Sequence, residues 1–136
     1  MEYKFRGKAL EDFPSINIKK GDWVYGGIYT ENSNVYIVKY LSPYEDLFFV
    51  DVDPETVGQY TGLKDKNGRE IYKGDIVKFQ TWKGYNDMGE VVWAENNGFY
   101  IKGTRDEDIF WHPDNVKDLE VVSNIHDNPE LLGEEK

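Results

Sequence analysis

The sequence predicts a mainly β protein, a bent sheet or small barrel built from two similar hairpin units with little helix. Three observations predict it. Aromatic residues make up 15% of the chain, and flat side chains of that kind pack well across pleated strands. Clusters of Gly, Asn and Asp punctuate short apolar runs, as tight turns require. Two short motifs also occur twice in the same order. With 136 residues the chain is expected to form a single domain, 1–136.

The first pair of motifs is "KGDWV" at 20–24 and "KGDIV" at 73–77; the second is "ENSNVYI" at 31–37 and "ENNGFYI" at 95–101. Gly tolerates the positive φ of a tight turn, and the following Asp can accept from backbone N–H groups just ahead of a strand. The Asn-rich steps supply turn residues between β-forming runs. Each copy thus reads as a Gly-Asp turn, a strand, an Asn-rich turn and an aromatic-aliphatic strand. The longer spacing in the second copy places extra chain at "QTWKGYNDMGE", so 81–90 is expected to be an inserted loop. "KGDIVKF…GEVVW…GFYI" is similar to half of an SH3-type barrel, a fold that hosts many functions.

Between the copies, Asp53 is expected to cap a short helical turn near 53–57, with Pro54 at its first position. The stretch "YTGLKDKNGREIYKGDIVKF" at 60–79 then makes a hairpin. A two-residue loop would set Asp65 opposite Glu70, a like-charge pair. A three-residue loop sets Asp65 opposite Arg69, Lys64 opposite Glu70 and Leu63 opposite Ile71, with Gly68 in the left-handed region. The three-residue register is favoured, and strand pairing accounts for the charge density without chemistry. At the end of the chain, Asn128 and Pro129 predict a second short helical turn near 129–132, and 133–136 is expected to fray.

Composition narrows function. Cysteine is absent, which excludes disulfides, thiolate metal sites and a cysteine nucleophile. No apolar run is long enough to span a membrane, and "MEYKFRGKAL" lacks a signal peptide's apolar core, so a cytoplasmic location is expected. The net charge of −10 opposes phosphate binding unless cations cluster. They do so mildly, in Lys64, Lys66, Arg69, Lys73, Lys78 and Lys83, while acidic residues gather at 45–55 and from Asp106 onward.

No site motif rises from this background. His112 and His126, in "WHPDNV" and "NIHDNP", sit in turn-like settings where a capping or solvated role is ordinary, and neither has metal-ligand spacing. "DVDPE" imitates the start of a calcium loop but lacks the remaining ligands. Phosphate-cradling and nucleophile-elbow motifs are missing. No metal, no cofactor and no catalytic activity are therefore expected. The stretch 80–90 supplies the candidate partner-binding residues Trp82, Lys83, Tyr85 and Met88, because loops of this kind often carry binding faces. The competing role for those side chains is packing on the protein's own sheet.

"GQYTGLKDKNGREIYKGDIVKF", with "KFRGK", "GDWVYG" and "NIHDNPELL", resembles the landmarks of the YopX family over nearly the whole chain. The resemblance implies an accessory protein of phages and prophages, oligomeric and without assigned biochemical activity. It brings no catalytic residues to carry over. The expectation is a protein of the bacterial host's cytoplasm that binds a protein partner or itself. The alternatives are an SH3-like nucleic-acid module using Trp82, Tyr85 and the lysine strip, and an enzyme with an unfamiliar site.

Overall fold

The computed structural model describes residues 4–41, 46–94, 98–104 and 110–133, and these divide into two compact units, 1–60 and 61–136. Both are built from antiparallel strands joined by turns and isolated 3-10 helical turns. Among the described residues no helix is long and apolar enough to cross a membrane.

The first unit contains β1 (Phe5–Lys8), β2 (Trp23–Glu31), β3 (Asn34–Leu41), β4 (Asp46–Val52), a 3-10 turn at Pro54–Thr56 and the start of β5 (Gly58–Lys64). Its strands lie in the order β4-β3-β2-β1-β5. Asn32 and Ser33 adopt positive φ between β2 and β3, the two-residue turn that matches strand twist. Asp53 accepts from the Glu55 N–H at 3.0 Å, so the capped turn stands where the sequence places it. The core gathers Ala9, Ile18, Val24, Ile37, Val50 and Val52, all buried.

Past Tyr60, β5 continues beside β6 (Glu70–Tyr72). The turn between them has the three-residue form. Asp65 N–H donates to Arg69 O at 2.8 Å, Gly68 N–H to Asp65 O at 3.0 Å, and Gly68 has φ +83°. The second unit continues with β7 (Asp75–Gln80), β8 (Asn86–Ala94), β9 (Gly98–Gly103), β10 (Phe110–Trp111), a 3-10 turn at Pro113–Asn115 and β11 (Lys117–Asn124). Its order is β10-β9-β8-β7-β11. Ile71, Val77, Phe79, Val91, Ile101 and Val121 form its core.

The two orders are the same. In each unit the second, third and fourth strands run outward from the first, a 3-10 turn follows, and the last strand returns to the first strand's other side. Among the described residues no strand ladder closes either sheet, although an isolated bridge, Ala9 to Val52, joins the end of β4 to the residue after β1; of the two expected forms the open sheet is the one found.

This equivalence corrects the alignment read from the motifs. Gly21-Asp22 precedes β2, whereas Gly74-Asp75 opens β7, the counterpart of β1. The two motifs are locally alike: φ is +90° and +94° at the glycines, and each Asp accepts from the N–H three residues back, Lys19 at 3.0 Å and Tyr72 at 2.7 Å. They are the same turn used at different points of the topology. The longer connection between first and second strands belongs to the first unit, residues 9–22, against 81–85 in the second. Residues 86–90 are the first half of β8 rather than part of a loop.

The other motif does mark equivalent strands, although its second turn, 95–97, lies outside the described residues. Ile28 pairs with Ile37 and Ile37 with Val50; Val91 pairs with Ile101 and Ile101 with Trp111. Gly26 in β2 and Gly89 in β8 stand at matching places, each two residues before the paired Ile28 or Val91. A Cβ at either would collide with a carbonyl oxygen across the sheet, that of Val38 or of Lys102.

At the chain's end the 3-10 turn Pro129–Leu132 forms, but Asn128 does not cap it. Its side-chain oxygen accepts from the Ser123 hydroxyl and its Nδ2 donates to the Glu130 carboxylate at 3.0 Å. The tail beyond Gly133 lies outside the described residues.

Candidate binding surface

The residues singled out in the sequence occupy the β7–β8 turn and the start of β8. Thr81 N–H donates to Tyr85 O at 2.7 Å, Gly84 N–H to Thr81 O at 2.9 Å, and Thr81 Oγ1 accepts from Tyr85 N–H at 3.1 Å. Gly84 has φ +92°. This repeats the Asp65–Arg69 turn, with a threonine hydroxyl in place of the carboxylate. Trp82 and Tyr85 stand out from it at 68% and 55% exposure, and the Lys83 ammonium lies 5.1 Å from the Trp82 ring centre. Met88 lies further along β8, opposite Lys78, and lines an open groove of about 600 Å³ with Lys66, Gln80, Asp87 and Asp118.

Lys66 and Lys78 both approach the Glu120 carboxylate, at 3.5 and 3.4 Å. The groove therefore alternates charge instead of presenting a cationic track. His112 accepts from the Asp114 N–H through Nδ1 at 3.1 Å and packs edge-on against Tyr100, a capping role. Asp65 is a structural node. Burial pushes its carboxyl up, but N–H donors from Val121, Arg69 and Asn67, aided by the Arg69 charge, outweigh that and hold it below its usual value. The Val121 bond, 2.9 Å long, fastens the turn to β11.

The most distinctive surface was not singled out in the sequence. It is the outward face of β2, β3 and β4. Residues directly opposite each other in a sheet share a face. The rows Gly27–Val38–Phe49 and Tyr29–Tyr36–Asp51 therefore point one way, with Tyr40–Leu47 beside them. The opposite face carries Ile37, Val50 and Val52, fully buried in the core. On the outward face Tyr40 and Leu47 are 57% and 53% exposed, and Tyr25, Tyr29 and Phe49 are also exposed. Phe49 stands edge-on to Tyr29 and Tyr36, with centroids 5.5 and 6.5 Å away. Rings in this arrangement hold one another in place, so the patch is ordered before anything meets it.

Alternation alone could not reveal this face. Apolar residues fill both parities of "GGIYTENSNVYIVKY", so the pattern does not say which set points inward. Only the register with β4 decides it.

Comparison with known proteins places the chain. The family described as "YopX protein" matches residues 5–133. A crystal structure of protein EF1440 from Enterococcus faecalis is similar, with a TM-score of 0.56 and 24% identity, covering 97% of this chain and 99% of that one. At that identity the likeness speaks for the fold alone. No curated protein matches. With residues 5–133 matched, nearly its whole length, this chain belongs to the YopX family.

Proposed function

We propose that the protein is an accessory factor encoded by a phage or prophage that acts by binding a protein partner in the host cytoplasm, without catalysing a reaction. One observation carries this reading. In one row the outward face of β2–β4 is apolar where its counterpart in the second unit carries a charge pair, while the neighbouring row, Tyr29–Tyr36, has the apolar counterpart Val92–Tyr100. Gly27–Val38–Phe49 has as its counterpart Glu90–Lys102–Phe110. The scaffold tolerates a charge pair at that row, so folding does not require the apolar version. Contiguous apolar surface that folding does not require marks an interaction site. Tyrosine and phenylalanine are also the side chains that serve as anchors at protein interfaces.

Trp82 and Lys83 form a second exposed element that suits either a rim contact or base stacking. The groove beside them is mixed in charge and the chain is strongly acidic, which favours the protein reading over the nucleic-acid one. The test is a photo-reactive phenylalanine analogue at Tyr40 and, separately, at Trp82, each expressed in bacterial cells. One discrete protein adduct from the Tyr40 site is expected. Adducts with nucleic acid, or no adduct from Tyr40, would reject the reading.

A further inference from the structure

We infer that the open edge of β4 takes an extended, basic-ended segment of the partner protein as an added strand. The inference rests on the binding reading above and specifies the mode and chemistry of the partner. β4 lies at the border of its sheet. Edge strands are ordinarily protected by charges, prolines or bulges, because their unpaired groups template further pairing. The run Leu47-Phe48-Phe49-Val50 has no charge and no proline, and its register with β3 is unbroken from Asp46 to Val52.

The chain itself shows that this edge accepts a strand. At its far end Ala9 bridges Val52 in antiparallel fashion, with Leu10 N–H donating to Asp51 O at 2.9 Å and Asp53 N–H to Lys8 O at 2.9 Å. Those bonds also set the phase. Backbone groups of Asp51 and Asp53 point outward, so by alternation those of Leu47 and Phe49 do too. Their side chains lie on the apolar outward face. A segment paired there would set its alternate apolar side chains beside Leu47 and Phe49 and widen the aromatic patch by one strand. This is strand addition, in which main-chain bonds supply affinity and side-chain rows supply choice.

Charge names the occupant's ends. Asp46 and Asp51 bracket the run, and residues 45–55 carry Glu45, Asp46, Asp51, Asp53 and Glu55 with no Lys or Arg. A segment with lysine or arginine at both ends and β-branched residues between them is complementary. A second copy of this chain would bring the same carboxylates to the same edge.

The probe is the capped, fluorescein-labelled peptide Lys-Val-Thr-Val-Thr-Val-Lys, titrated by polarisation against the full chain. Saturable binding is expected, with at least about tenfold weaker binding for the Glu-ended peptide. N-methylation of the central valine should weaken binding about tenfold by deleting one ladder donor. Leu47→Pro, which removes an outward N–H where proline is tolerated, should do the same while Trp82→Ala does not. Should Leu47→Pro fail to fold, the N-methylated peptide still decides. No saturation, equal binding of the Glu-ended or N-methylated peptide, or self-association lost in Leu47→Pro would overturn the inference. A Tyr40 adduct without peptide binding would leave the face as a binding surface and remove the edge from it.

Discussion

The two units share strand order, connectivity and the placement of a 3-10 turn, yet one row of their outward faces differs in kind. In the second unit β8 and β9 set Glu90 directly across from Lys102, the ordinary solution for a face in water. In the first, Gly27 lies across from Val38, with Phe49 completing the row and Tyr29 and Tyr36 beside it. The alternate rows, by contrast, are apolar in both units: Ile28–Ile37–Val50 and Val91–Ile101–Trp111. What the scaffold needs is common to both units, and what differs is free to serve something else.

The equivalence is broken most severely by a side chain at the close-approach glycines. Gly26→Ala and Gly89→Ala each drive a Cβ into a backbone carbonyl that cannot swing aside. Each should cost about 2–4 kcal/mol in urea unfolding. Similar losses at both support the equivalence of the hairpins, and a neutral Gly26→Ala would separate them.

Asp65 sharpens the comparison in the other direction, because its role is particular to the second unit. Its carboxylate serves three backbone donors, so Asp65→Ala should cost about 1–3 kcal/mol. The folded carboxyl titrates below its ordinary value of 3.8. Its stabilisation is therefore complete above that pH and is lost as pH falls through the lower, folded value. An acid-unfolding series should show that slope in the wild type and less of it in Asp65→Asn.

What was legible in the sequence was local. The Asp65–Gly68 turn followed from charges that must not face each other, and the Asp53 cap from a side chain beside Pro54. The unit architecture was not legible, because a Gly-Asp turn is stable wherever a strand needs a start, and two such turns need not be equivalent. Asn128 missed its capping role because Ser123 and Glu130 compete for its amide. The apolar face stayed hidden because both parities of β2 and β3 are rich in apolar residues. Trp82 and Tyr85 were singled out through their place in the inferred 80–90 insert, and the structure leaves them exposed.

Smaller effects follow on the surface. Trp82 is exposed at a turn held by Thr81 and Gly84, so Trp82→Ala should change stability by no more than about 0.5 kcal/mol. A larger loss would mean that the turn packs as part of the unit's own structure.

The most direct measurement exchanges the row itself. Gly27→Glu with Val38→Lys installs the second unit's charge pair in the first; a Cβ at Gly27 meets only the Val38 side chain, at 3.9 Å. Unfolding midpoint and partner capture by the Tyr40 photo-reactive probe are read on the same double variant. If the apolar row exists for binding, the midpoint holds to within about 0.5 kcal/mol and capture is lost. Undiminished capture, or a loss of several kcal/mol showing that the row is core, would contradict it.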